Sequence, residues 1–117
     1  MEEVTISIYN TVGDSFCVDA EDGKKVYELI HKCLKENKKV KLSFQNVEML
    51  TSAFLNTAVG QMYRDFPEDQ IKTSLSVEAL SPEDLTLLKR VNNTAKLFYK
   101  NPDRLQNSIS EVLGETA

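Results

Sequence analysis

Apolar and polar positions alternate from the start of the chain. Val4, Ile6 and Ile8 interleave with Thr5, Ser7 and Tyr9, the two-residue period of a strand. The stretch NTVGDS follows as a turn with Gly13-Asp14 as its strongest signal. SFCV then reads as a short second strand, so residues 4–18 are expected to form a hairpin. The period changes next. Val26, Leu29, Ile30, Cys33 and Leu34 recur at helical spacing, in a helix opened by Asp22-Gly23 and ended near Asn37. Lys24, Glu28, His31, Lys32 and Lys35 fall opposite, and Glu28 stands four residues before Lys32, a favourable helical pair. KVKLSF is the third strand, and QNVEML leads out of it.

Helical spacing returns with Leu55, Ala58, Val59, Met62, Tyr63 and Phe66, and Pro67 stops that helix. IKTSLSV alternates Ile71, Thr73, Leu75 and Val77 and is read as the fourth strand. Ser81-Pro82-Glu83-Asp84 combines a capping serine, proline at the first helical position and two acids in the first turn. The helix it opens has Leu87, Leu88, Val91, Ala95, Phe98 and Tyr99 on its buried side. Lys89, Arg90, Asn93 and Lys96 lie on its wet side. Asn101-Pro102-Asp103 starts a last helix with the stripe Leu105, Ile109, Val112, Leu113, ended by Gly114. The order is β-β-α-β-α-β-α-α. Strands separated by helices favour an α/β fold with one mixed, partly parallel sheet of about four strands covered by helices. A single domain over residues 1–117 is expected, with its core at about 4–99 and a C-terminal helix at about 102–113.

Composition narrows the function classes. At 117 residues, 41% of them hydrophobic, the chain can bury roughly two-thirds of its unfolded surface without staples. Fourteen basic and 18 acidic residues leave a net charge of -4, which argues against a general nucleic-acid or anionic-membrane binder. The charge is uneven: residues 1–23 hold six acids and no base, and residues 24–41 hold seven lysines. Glu28 and Glu36 interrupt the lysines, and no Gly-rich phosphate loop or aromatic interleaving accompanies them. A solvated, salt-bridged face is expected there. Cys17 and Cys33 lie in apolar patterns and read as core thiols. No basic leader, cleavage signal or long apolar run is present, so a cytoplasmic, membrane-free protein is expected. His31 is the lone histidine, with no carboxylate, serine or cysteine at suggestive spacing, so neither a catalytic base nor a metal site is expected. The expectation is a non-enzymatic chain without a cofactor.

One stretch, VKLSFQNVEMLTSAFLNTAVGQM at residues 40–62, resembles the STAS superfamily, and in particular the STAS-like family of unknown function DUF4325. In STAS proteins a strand ending in a Leu-Asp-Leu/Phe segment is followed by a valine and then a short Asp-Ser-Ser-Gly loop that caps a helix. Here Leu42-Ser43-Phe44 stands at the strand end, Val47 at the apolar anchor and Thr51-Ser52-Ala53-Phe54 at the loop. The Asp22-Gly23 opening and the element order over residues 4–99 also fit the STAS-like family. Three positions depart. Ala53 stands where the second loop serine of anti-anti-sigma factors is phosphorylated, Thr51 where the loop aspartate stands, and Ser43 where the strand-end aspartate stands. That phosphoswitch therefore does not carry over, and Ser52 or Thr51 would be a different phosphorylation site. The resemblance implies a protein-interaction module that docks a signalling partner, such as a GHKL-type ATPase/kinase, through the helix after Thr51. The alternative it implies is a small-molecule module binding a nucleotide or lipid.

Within that stretch, Thr51-Ser52 reads either as a helix N-cap or as a regulatory and recognition site. Opposite the apolar stripe of the following helix lie Ala53, Asn56, Thr57, Gly60 and Arg64, a face that is small and uncharged until Arg64. Ala53, Asn56, Thr57 and Gly60 would then form a docking face for a partner or a second copy of the chain. The competing expectation is that this side packs against another helix of the same chain.

Overall fold

In the computed structural model, which describes residues 2–100, the first strand is β1 (Glu3–Ser7). It does not turn back as a hairpin. Ser7 caps a short helix, α1 (Ile8–Val12): its Oγ accepts from the Asn10 amide at 3.1 Å, and its carbonyl accepts from Thr11 Oγ1 at 2.7 Å. Gly13 closes that helix with φ 82°, and its N–H bonds to the Tyr9 carbonyl. The expected turn glycine is thus a helix C-cap, where only a residue without Cβ adopts the left-handed angles freely. The two-residue strand β2 (Phe16–Cys17) belongs to a different sheet.

Helix α2 runs over Ala20–Lys35 from Asp19, earlier than the Asp22-Gly23 opening, and Asn37 follows it with φ 61°. Leu29 of its expected stripe is 42% exposed, whereas Val26, Ile30 and Leu34 are buried. β3 (Lys39–Ser43) follows, then β4 (Met49–Leu50). The next helical run comprises α3 (Ser52–Leu55), a π-helical segment (Asn56–Gly60) and α4 (Met62–Asp65), and it ends in the extended Phe66 before Pro67. Leu55, Asn56 and Gln61 keep right-handed helical angles, so the three pieces form one rod.

The expected strand IKTSLSV splits. α5 (Glu68–Ser74) takes Ile71 and Thr73, and β5 (Leu75–Glu78) takes the rest. Glu68 and Asp69 in the first turn favour the helix, and Ile71 and Ser74 are buried three residues apart on its inner side. α6 (Pro82–Lys100) starts as expected, with the Asp84 amide bonded to Ser81 Oγ at 3.1 Å. The last helix expected at 102–113 lies outside the described residues.

The chain is α/β as expected, but the single mixed sheet is replaced by two parallel ones. β1, β3 and β5 form one in that order, and β2 pairs with β4 in the other. In the larger sheet Val4 aligns with Val40 and Leu75, and Ile6 aligns with Leu42 and Val77, giving one apolar face. The next register position is polar throughout: Thr5, Lys41 and Ser76 align, and Lys41 Nζ lies 4.0 Å from both Glu3 and Glu78 carboxylates. The helical rod packs between α2 and α6. Phe54, Leu55, Ala58, Val59 and Met62 are buried in one core with Val26, Ile30, Leu42 and Val91. Among the described residues no helix is long and apolar enough to cross a membrane.

Two glycines set the spacing of that helical layer. A Cβ on Gly23 would meet the Phe54 carbonyl oxygen at 2.6 Å and Thr57 Cβ at 3.1 Å, so α2 lies directly on the backbone of the rod. Gly60 faces the other way and is buried, its Cβ direction leading to Ala95 and Val91 of α6 at 3.7 Å.

Candidate functional site

The loop from β3 to the rod is built to present the rod's first turn. Phe44 is buried, Asn46 takes φ 70°, and half-buried Val47 packs against the core as its apolar anchor. The chain then runs beside β2: the Glu48 amide bonds to the Ser15 carbonyl at 2.8 Å, and Ser15 Oγ bonds to Glu48 Oε2 at 2.7 Å. Phe16 aligns with Met49, and Cys17 with Leu50. Side chains in register on neighbouring strands share a face. Cys17 and Leu50 therefore turn inward together, while Phe16 and Met49 turn outward, 51% and 50% exposed.

Thr51 is the hinge of this arrangement. Its amide bonds to the Cys17 carbonyl at 3.3 Å and its hydroxyl donates to the Val18 carbonyl at 2.7 Å. The same oxygen accepts from the Phe54 amide at 3.2 Å, the expected N-cap. The hydroxyl is thus occupied on both sides. Ser52 carries the free-facing hydroxyl; it is exposed, as are Ala53 and Asn56.

The rest of the expected docking face is not on the surface. Thr57 is half-buried, its hydroxyl bonds back to the Ala53 carbonyl at 3.3 Å, and its Cβ faces Gly23. Gly60 is buried against α6. The reason is α6: Gly60 lies on the same side of the rod as Asn56, and α6 covers it there, with Ala95 and Val91 at contact distance, so for Gly60 the competing expectation of packing against another helix of the chain holds. Within this stretch the Gln61 amide bonds to the Asn56 carbonyl five residues back, a π-helical turn. Of the six expected residues, Ser52, Ala53 and Asn56 are exposed at the start of the rod, and half-buried Thr51 caps it. To this end of the molecule the structure adds Phe16 and Met49, whose only sequence signal was a short apolar run on each side of the core strand.

The electrostatics of this end are acidic. Asp14 caps the Phe16 amide at 3.0 Å, and Glu48 lies beside Ser15. Beneath them the Cys17 thiol is pushed up to about 11, first by burial and then by the charges of Asp22 and Asp14. It is a protonated core thiol, as expected from its apolar surroundings.

A second polar cluster joins α2 to the far end of the rod. Tyr27 donates to Asp65 Oδ2 at 2.5 Å, and Arg64 Nη2 donates to the Tyr27 oxygen at 3.0 Å. Arg64 Nε also donates to Asp65 Oδ1 at 2.9 Å. The His31 ring packs 5.6 Å from Tyr27 and 5.1 Å from Phe66, with Nε2 3.9 Å from Asp65 Oδ2. A carboxylate does reach His31, from a segment 34 positions away that local spacing could not reveal. Burial alone would raise the Asp65 carboxyl, but the bonds from Arg64 and Tyr27 hold it below the usual carboxylate range. The cluster is a structural clasp between α2 and α4. The lysine-rich segment is paired in part: Lys25 with Asp22 at 3.3 Å and Lys38 with Glu36 at 3.1 Å, while Glu28 and Lys32 do not pair.

Together these features define a small α/β domain of parallel strands, in which a threonine-capped helix follows the central strand by way of a loop and the short strand β4. The chain belongs to the STAS-like domain family of unknown function (DUF4325), whose model matches residues 22–85, more than half of the 117 residues. That span includes all but the first two residues of α2, the central strand, the Thr51 loop and the whole rod. No curated protein and no solved structure matches the chain.

Proposed function

We propose that this domain is a non-enzymatic interaction module that docks a signalling protein through the end of the molecule formed by Phe16, Met49, Ser52, Ala53 and Asn56. The observation that carries this reading is the in-register pair Phe16 and Met49, both half exposed beside the Thr51-capped helix start. Aromatic and methionine side chains are enriched at interface centres, and an apolar pair ringed by polar groups is the anatomy of a docking surface. Asp14 and Glu48 at its edge call for a partner with a basic rim around an apolar contact. Kinship with STAS domains makes a GHKL-type ATPase/kinase the partner class to test first. Thr51 holds the surface in place; Ser52 and Asn56 supply its hydrogen-bonding groups.

The test uses a purified candidate partner from the native cell and titration calorimetry against wild type, Phe16→Ser and Met49→Ser. Truncating a central apolar contact costs ~2 kcal/mol or more, about thirtyfold in Kd. The expected result is that loss in both variants with unchanged melting curves. Equal Kd values for wild type and both folded variants would refute the surface. Light scattering on the isolated chain separates self-association through the same end from partner docking.

A further inference from the structure

We propose that the open cavity between α5, β5 and α6 binds a small amphipathic anion, one with an apolar body and a carboxylate, sulfonate or phosphate group. The cavity measures about 350 Å³, within the range of roughly 300–1,000 Å³ typical of small-ligand sites. Val59, Ile71, Val77 and Leu88 supply its apolar lining. Lys72, Lys89 and Lys96 also line it, with Glu68 as the single acid. Three lysines and one glutamate give the lining a charge of +2 on a chain whose net charge is -4. Lys96 is engaged, 3.6 Å from Glu68 and over the Tyr63 ring at 5.7 Å. Among the described residues neither Lys72 nor Lys89 makes an ion pair. Positive charge at the mouth of a low-dielectric pocket concentrates anions there.

Asn92 lines the same cavity, but its Oδ1 is closed off from solvent with no hydrogen-bond donor among the described residues, so that oxygen is turned away from the open space. A ligand whose anionic end meets Lys72 and Lys89 while its apolar body covers Val59, Ile71, Val77 and Leu88 uses the charge and the lining at once. The site shares no residue with the Phe16–Met49 surface, so either assignment stands or falls without the other.

The probe is 6-(p-toluidino)naphthalene-2-sulfonate, which has an apolar body and a sulfonate, and fluoresces when bound. The chain contains no Trp to compete. The full chain is titrated as wild type and as the double variant Lys72→Glu/Lys89→Glu, each with a melting curve. N-phenyl-2-naphthylamine, which lacks the sulfonate, is titrated in parallel. The expected result is saturable one-to-one binding that the lysine double variant weakens about tenfold or more, with the neutral analogue unaffected by that variant. Absence of saturable binding below millimolar probe overturns the proposal. So does binding that the folded double variant leaves unchanged, which would mark adsorption elsewhere on the surface.

Discussion

The same substitution, glycine to alanine, should have opposite effects at positions 23 and 60. At Gly23 the new Cβ would lie 2.6 Å from the Phe54 carbonyl oxygen, 3.1 Å from Thr57 Cβ and 3.3 Å from the Ala58 nitrogen. Carbon and carbonyl oxygen settle at about 3.3 Å or more, so α2 must retreat from the rod by roughly 0.7 Å. Two of the three obstacles are backbone and cannot swing away. Overpacking of this kind costs ~1–3 kcal/mol, against a propensity gain of at most ~1 kcal/mol for alanine over glycine in a helix. The net loss is up to about 2 kcal/mol, and at ~4 °C per kcal/mol for a domain of this size the melting temperature should fall by up to about 8 °C. At Gly60 the nearest atoms to an added Cβ stand at 3.7 Å, ordinary contact distance, on Ala95, Asn56 and Val91. Nothing must move, so Gly60→Ala keeps the entropic gain of about 0.5–1 kcal/mol and should melt higher. Gly60→Arg, by contrast, drives a charged side chain between the rod and α6 and should prevent folding. The assay is thermal melting by circular dichroism of the purified chain. A rise for Gly23→Ala with a fall for Gly60→Ala would refute this account of the helical layer, and a folded, stable Gly60→Arg would return Gly60 to the surface.

Three further outcomes follow from particular bonds. Thr51→Ala loses the N-cap and the donor to the Val18 carbonyl and should cost at least ~1 kcal/mol. Ser52→Ala, at an exposed position, should stay within ~0.5 kcal/mol; equal melting of the two would show that the cap does not anchor the loop. Asp65 has a folded-state pKa below its ordinary 3.8. Its stabilisation is therefore present above that value and is lost as pH falls through the lower folded pKa. Asp65→Asn should lower stability at neutral pH and flatten the acid limb of melting temperature against pH; an unchanged limb would refute the clasp. Cys17, raised to about 11 and fully buried, should resist iodoacetamide at pH 8 until the chain unfolds, as followed by mass spectrometry; rapid alkylation of the folded chain would show that the β2–β4 ribbon opens readily.

What local chemistry controls, the sequence displays. Ser81-Pro82 starts α6 and Pro67 stops the rod because capping and the missing proline N–H act within one turn. The alternation of Val4 and Ile6, Val40 and Leu42, and Leu75 and Val77 names the inner face of the sheet before any pairing is known. Pairing itself is another matter. Parallel partners lie a crossover apart and leave no turn signature between them, so Gly13 served equally well as a hairpin turn or as the C-cap it is. IKTSLSV is ambiguous for a related reason. Ile71 and Ser74 obey a helical spacing, Leu75 and Val77 a strand spacing, and the two share one window of alternate residues. The site divides along the same line. Thr51 as a cap was readable because a hydroxyl and its amide are three residues apart. Gly60 stayed open to two readings because a helical wheel shows which residues share a side and not what covers it; Val91 and Ala95 of α6 cover this one. Phe16 and Met49 could not be placed at all, since a strand of two residues has no alternation to read. Only the register that buries Cys17 with Leu50 forces their neighbours outward together. The exposed apolar pair is thus created by non-local pairing, which residue spacing around Thr51 does not reveal.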